Sequence, residues 1–371
     1  MKLGPERWIV PIDERPARPI ITVIGGDGVG PEVTASALAC VRATGLDCEV
    51  REPLHGERGE QEIGDAFPER VKTDIVESDA VLFGAVQAKS REILRFIRYH
   101  CQCYANLRPS ASLPGIDSIT GEGRTDLVIV RELTEGMYPG REGSLAELRE
   151  RYPDSKDALG RPLPEDDGVY AIRICTASAA TRIARYAARL AKHRQTLGIG
   201  RGHVTIVHKR NVLKTVGGFF ADKCIPEIEA QGLTYDELFV DEAARRMVAC
   251  PYSFDVVVTM NMFGDILSDV ASEVMGGMPL VPSAGVGEKV VYFEPCHGSA
   301  PDIVGQGIAN PAAAILSASM MLGYLGYSAE ASRLIDALLG ALQEVKPRDM
   351  GGDAKTVEIT NAVVGRLEAG R

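Results

Sequence analysis

The chain has 371 residues, 45% of them apolar and 25% charged, which is the balance of a water-soluble globular protein with enough length for two domains. A formal charge of −10 excludes a protein held to nucleic acid or to a membrane surface by bulk positive charge. Eight cysteines are scattered along the chain, and Cys101 and Cys103 stand too close for a zinc knuckle or a thioredoxin-type motif, so a disulfide scaffold is not expected.

Residues 1–18 carry acids and prolines where a secretory leader has an apolar core, and they read as an extension without periodicity; the expected location is the cytoplasm. A strand at 20–24 runs into the glycine-rich turn Gly25-Gly26-Asp27-Gly28-Val29-Gly30, and Pro31 opens a helix to about Thr44. Further strands are expected at 79–83, 126–130, 203–207, 254–259 and 290–293. Helices are expected at 69–77, 177–193, 224–231, 242–249, 312–325 and 329–344. The longest apolar run, 312–325, falls short of the ~20 residues that a membrane span needs. Residues 141–167 are charged and rich in Gly and Pro, with a helical stretch at 144–151, and read as an insertion or arm. Strand and helix alternate throughout, which predicts an α/β sheet fold with ligands at strand ends.

Several constellations carry chemistry. Arg91, Arg95 and Arg98 are spaced four and three apart, which predicts one helical face bearing almost no acid to pair with. Arg108 follows in Tyr104-Ala105-Asn106-Leu107-Arg108-Pro109, and Arg131 comes directly after an apolar strand. Guanidinium forks match carboxylates two bonds at a time, so these arginines predict a pocket for a small polyanion. Asp265 and Asp269 share a helix face after strand 254–259, a spacing that suits Mg²⁺ or Mn²⁺, with Asp241 as a third ligand. Lys209 ends strand 203–207, where a lysine near a cation and several arginines can serve as a base; Tyr138 completes the set. The glycine turn at 25–30 lacks the G-x-G-x-x-G spacing of a dinucleotide fingerprint. The small-residue loop Glu294-Pro295-Cys296-His297-Gly298-Ser299-Ala300-Pro301-Asp302-Ile303, continuing to Asn310, suits a nucleotide, with Asp302 placed to accept both hydroxyls of an adenosine ribose.

Taken in order, GGDGVGPEV, YANLRP, RELTEGMY, VHKRNVLK, VTMNMFGDILSD and EPCHGSAPDIVGQGIANP resemble the β-decarboxylating dehydrogenases, the family of isocitrate, 3-isopropylmalate and homoisocitrate dehydrogenases, over residues 20 to 350. The resemblance implies an α/β fold of two domains around a mixed sheet, unlike the Rossmann fold. Residues 19–103 and 276–371 would form a large dinucleotide-binding domain. Residues 104–275 would form a smaller central domain carrying the homodimer contacts, with an arm near 141–168 and active sites shared between subunits. It implies that Arg98, Arg108 and Arg131 bind the malate-like carboxylates, and that Asp265 and Asp269 hold the metal with Asp241 of a second copy. Tyr138 and a second copy's Lys209 would be the acid and base. The loop from Glu294 through His297, Gly298, Ser299, Ala300, Asp302 and Ile303, with Asn310 and Asn211, would bind the dinucleotide. NADP-using isocitrate relatives carry Lys-Tyr where this chain has Asp302-Ile303, so NAD is the expected cofactor. The implied reaction has Lys209 take the hydroxyl proton of a hydroxy polycarboxylate, hydride leave C2 for nicotinamide, CO₂ depart, and Tyr138 protonate the carbon.

The substituent at C3 is read by the helix before Arg98. Isopropylmalate enzymes place leucines there and isocitrate enzymes a serine and an asparagine; here Glu92 and Leu94 stand instead, and Arg95 resembles the arginine with which homoisocitrate dehydrogenases reach a distal carboxylate. Burying Arg95 unpaired against an isopropyl group would cost several kcal/mol. An anionic C3 arm is therefore expected, isocitrate- or homoisocitrate-like. Arg91 leaves room for a phosphonate such as 3-phosphonomethylmalate, and 3-isopropylmalate is the alternative. A ligand-binding subunit without turnover is disfavoured, because the Tyr, Lys and Asp set is complete.

Overall fold

A computed structural model of the chain describes residues 4–119 and 125–370. In chain order the strands are β1 (Ile20–Gly26), β2 (Glu49–Arg51), β3 (Ala80–Ala85), β4 (Ala105–Ala111), β5 (Asp126–Glu132), β6 (Glu142–Ser144), β7 (Val169–Ala171), β8 (His203–His208), β9 (Thr234–Phe239), β10 (Val256–Thr259), β11 (Pro282–Val286) and β12 (Val291–Pro295). The helices are α1 (Gly30–Ala43), α2 (Gly56–Ile63), α3 (Glu69–Glu77), α4 (Arg91–Arg95), α5 (Leu145–Arg151), α6 (Ala177–Thr196), α7 (Lys214–Glu229), α8 (Val240–Ala249), α9 (Asn261–Met275), α10 (Ala312–Tyr324), α11 (Ser328–Glu344) and α12 (Thr356–Ala369).

Ten strands form one mixed sheet in the order β2-β1-β3-β12-β11-β4-β5-β10-β8-β9. Both flanks are parallel, and the middle strands β12, β11, β4 and β5 run antiparallel to one another. The remaining pair, β6 and β7, makes a small antiparallel ribbon beside α5 within the expected arm. Successive strand side chains point to opposite faces, and here each face has a different fate. One face is covered from end to end by α1, α6, α7, α10, α11 and α12 in a single apolar core. The opposite face carries two separate clusters, one under α3 and α4 (Ile24, Val71, Ile75, Phe83, Ile93, Tyr292), the other under α8 and α9 (Leu127, Ile129, Met247, Val257, Leu267). Between those clusters Asn106, Arg108, Arg131 and Glu294 of the middle strands β4, β5 and β12 alternate onto that face.

The apolar run at 312–325 is α10, buried on all sides in the main core, as its lack of a polar face requires. Among the described residues no helix is long and apolar enough to cross a membrane.

The beginning of the chain, expected as an extension without periodicity, is packed into the fold. Trp8 and Ile9 are fully buried in the main core, and Arg7 is buried against Asp126 at the start of β5 (3.1 Å). Arg194 of α6 donates to the Arg7 carbonyl (2.6 Å). Farther along, the Ile12 amide donates to the Tyr324 carbonyl (2.9 Å) and the Tyr327 hydroxyl to the Pro16 carbonyl (2.5 Å). This strap ties the central strands to α10 and α11.

Candidate active site

The cleft between the two smaller clusters gathers most of the expected site. Arg131, at the end of β5, is 2% exposed, and its Nε and Nη2 both donate to Asn261 Oδ1 (3.0 and 2.8 Å) while Nη1 pairs with Asp265. Burial, then the charges of Asp265, Arg108 and Arg98, set its basicity, with a net fall to about 10. On β4, Arg108 donates to Asn106 Oδ1 (2.7 Å) and to Cys296 Sγ (2.7 Å). Arg98 donates to the Tyr292 hydroxyl (3.0 Å) and to Glu294 Oε1 (3.1 Å); burial works against its charge, and Tyr292 and Glu294 more than offset that. Three guanidinium groups thus converge with two acids, Glu294 and Asp265, as counter-charges. Bringing cations this close is costly unless anions bind them, so the cleft favours a polyanion.

Tyr138 leans over this group. Its hydroxyl donates to Asp265 Oδ2 (2.5 Å) and its ring lies 5.2 Å from the Arg131 guanidinium. Burial, and then the carboxylate of Asp265, push the phenol up to about 12, so it stays a proton donor at neutral pH. Asp265 and Asp269 lie one turn apart on α9 as expected, and burial together with Asp265 raises Asp269. A hard divalent cation would relieve that crowding, and carboxylate oxygens suit it, so the donor set matches part of a Mg²⁺ or Mn²⁺ site. Among the described residues of one chain no third acid, histidine or cysteine joins them. Asp241, at the start of α8, instead pairs with Lys209.

Several expectations are corrected. The arginines at 91, 95 and 98 do not share a regular helix: α4 ends at Arg95, and Phe96–His100 form a wider π-type turn that carries Arg98 down to the sheet. Nor do they lack acids, for Arg95 pairs with Glu92 (3.1 Å) and Arg98 with Glu294. Arg95 is 62% exposed, so the burial penalty invoked against an apolar arm does not arise. Lys209 stands with Asp241 at the β8 and β9 edge, and Asn211 is exposed beside it. Glu294 belongs to the arginine cluster rather than to the loop that follows, because it shares the inward face of β12 with Tyr292. Even so, Arg91, Leu94, Arg95 and Arg98 line one groove of about 970 Å³ together with Tyr138.

The loop after β12 packs on the glycine turn after β1. Val29 donates to the Ser299 carbonyl (3.0 Å), and a Cβ on Gly28 would stand 2.1 Å from that oxygen, so only glycine permits the contact. His297 Nδ1 bonds the Gly298 carbonyl (3.0 Å), which leaves Nε2 a bare acceptor, and that atom is buried without a partner. Burial lowers the His297 pKa and keeps the ring neutral. An orphaned acceptor in a buried loop matches the amino group of an adenine. Asp302 is exposed in a short 3₁₀ turn, Ile303 is half-buried, and Gly298 has open space around it. Ala300 adopts φ 42°, which shapes the loop. Asn310 is engaged within the chain, capping α10 through Ala312 N (3.0 Å) and donating to Asp349 (3.1 Å). Sequence reasoning missed Asn106, Tyr292, Asn261 and Cys296; strand alternation about Arg108 and Glu294 would have found the first two.

A family model described as isocitrate/isopropylmalate dehydrogenase matches residues 20–363. The chain belongs to the isocitrate/isopropylmalate dehydrogenase family. It is similar to a protein named 3-isopropylmalate dehydrogenase from Archaeoglobus fulgidus, at 39% identity over 94% of this chain and 99% of that one. It is as similar to an isocitrate/homoisocitrate dehydrogenase of Thermus thermophilus, at 39% identity over 94% and 98%. The crystal structure of isocitrate dehydrogenase from Methylococcus capsulatus superposes with a TM-score of 0.81 at 31% identity, covering 94% of this chain and 99% of that one. Members of the isocitrate/isopropylmalate dehydrogenase family are oxidatively decarboxylating dehydrogenases that act on small hydroxy acids with NAD(P) and a divalent metal. The mixed ten-stranded sheet is that family's fold.

Proposed function

We propose that this enzyme oxidatively decarboxylates a 3-substituted malate with an anionic C3 arm, using NAD and Mg²⁺ or Mn²⁺. The carrying observation is the groove in which Arg91 and Arg95 stand beside Arg98 and Tyr138. Arg98, Arg108 and Arg131 hold the two malate carboxylates, and Arg95 turns from Glu92 to the charged arm. Asp265 and Asp269 hold the cation, with Asp241 and Lys209 supplied by a second copy of the chain in a homodimer. When bound, the cation supplies Lewis-acid polarisation and the dinucleotide accepts hydride. Lys209 takes the hydroxyl proton, and Tyr138 gives its own to the carbon that CO₂ leaves. His297 receives the adenine, and the exposed Asp302 favours the free ribose hydroxyls of NAD over a 2′-phosphate. All eight cysteines are free thiols, which supports a reducing cytoplasmic setting.

A second reading, an apolar arm such as isopropyl, is favoured by Leu94, Phe67 and Phe96 in the same groove and by the exposure of Arg95. The readings separate in one assay: NAD reduction with Mg²⁺ on homoisocitrate, isocitrate, 3-isopropylmalate, D-malate and 3-phosphonomethylmalate. The anionic reading expects an advantage of about tenfold or more in kcat/KM for a charged arm, lost in Arg95→Leu, as removal of a charge-assisted contact predicts. A preference for isopropylmalate that survives Arg95→Leu establishes the second.

A further inference from the structure

Lys209 follows β8 directly, and both of its chain neighbours are tied to one carboxylate. Glu237, on the adjoining strand β9, accepts through Oε2 from His208 Nε2 (2.7 Å) and from Arg210 Nη1 (2.7 Å). The Arg210 amide faces His208 Nδ1 at 3.4 Å, which places the ring proton on Nε2 and directs it at Glu237. His208 is buried at this point, stacked at a tilt beside Phe239. The Lys209 carbonyl accepts from the amides of Val212 (3.1 Å) and Leu213 (2.8 Å), and its amine pairs with Asp241, four residues beyond Glu237. From the other side α7 presses close: a Cβ on Gly217 would stand 2.8 Å from the Arg210 amide nitrogen and 2.9 Å from its Cα.

A lysine stem has many rotamers, and a proton acceptor works only within hydrogen-bond reach of its proton. Misplacing such a group by about 1 Å costs on the order of 100-fold in rate. The stem is anchored at the Lys209 Cα, so the backbone of residues 208–210 sets the region its amine can sweep. With a small residue at 210, Glu237 would hold that segment on one side only.

We infer that Glu237 and Arg210 are positioning residues for Lys209: one carboxylate oxygen pins the residues on either side of the lysine and so fixes where its amine is presented. This rests on the reading of Lys209 as proton acceptor. The test uses the full-length enzyme with NAD, Mg²⁺ and homoisocitrate, and compares Lys209→Ala, Glu237→Gln, Arg210→Ala and the Glu237→Gln/Lys209→Ala double variant. Glu237→Gln is expected to lower kcat about tenfold with KM changed less than about twofold, Glu237→Asp to recover part of the loss, and the double variant to be no worse than Lys209→Ala. A readout without turnover accompanies it: acetylation of Lys209 by N-hydroxysuccinimidyl acetate, followed by peptide mass spectrometry, should quicken severalfold in Glu237→Gln. Unchanged kcat and unchanged labelling in Glu237→Gln, or additive losses in the double variant, would overturn the inference while an inactive Lys209→Ala left the base assignment standing. Full activity in Lys209→Ala would overturn both.

Discussion

Arg131 shows what it takes to keep a guanidinium out of water and still ready for a ligand. Asn261 occupies two of its nitrogens, Asp265 a third, and α9 passes so near that a Cβ on Gly264 would stand 2.6 Å from the Arg131 stem. Gly264→Ala should therefore shift the arginine, destabilise the fold by about 1–3 kcal/mol as overpacking does, and raise KM; urea denaturation and steady-state kinetics measure the two. Tyr138 yields a prediction about pH. Its proton is held more tightly in the folded state than in an unfolded chain, so it stays on through neutral and mildly alkaline pH, and any stability linked to it is lost only as pH rises through the raised value. The phenolate absorbance missing in Tyr138→Phe should accordingly titrate above pH 10, and the alkaline limb of kcat below that should persist in kind when the residue is replaced. Motifs made Arg98, Arg108, Arg131, Tyr138, Asp265 and Asp269 legible in the sequence. Glu294 reads with the loop motif that begins with it, whereas it lies in β12, whose two-residue period decides where it points.

At the scale of elements, the turn that carries Arg98 combines two requirements. Ile93 and Ile97 are both fully buried on the sheet, and the widened turn at Phe96–His100 lets Arg98 reach Glu294 while those anchors stay seated. Ile97→Ala should cost about 2–5 kcal/mol of stability, as large-to-small changes in a core do, and should weaken substrate binding more than Ile93→Ala, because Ile97 sits within the turn itself; chemical denaturation and KM for the preferred substrate test this. The six strands with strong apolar runs were readable, and these became β1, β3, β5, β8, β10 and β12. Those missed have physical reasons. β4 exchanges every second apolar side chain for Asn106, Arg108 and Ser110 because that face lines the cleft. β9 is a half-exposed edge, and β11 is short and holds a proline and a glycine. Likewise α7 begins ten residues before the expected 224, since Gly217 and Gly218 look like breakers, whereas Gly217 serves as a close packing contact. The chain also returns on itself: β12 and β11 from the late sequence pair beside β3 and β4 from the early sequence, a closure that no composition shift marks.

For the molecule as a whole, the strap at residues 4–18 is the least expected feature. Its two buried apolar residues, Trp8 and Ile9, are adjacent and so leave no period to read, and its ion pair partner lies in β5, far along the chain. Trp8→Ala should cost about 3–5 kcal/mol, as the loss of a buried aromatic does, and deleting residues 1–17 should cost more, since Asp126 would keep only Arg194; both are read from the midpoint of urea unfolding at matched protein concentration. The strap also imposes an order in time. It leaves the ribosome well before its docking partners, which run from Asp126 to Tyr324 and Tyr327, whereas domains otherwise assemble from the N-terminus as they emerge. A nascent chain must leave part of the strap undocked until Tyr324 and Tyr327 have been translated. Seating the strap is then a late act of assembly, complete only when α10 and the turn into α11 are there to receive it.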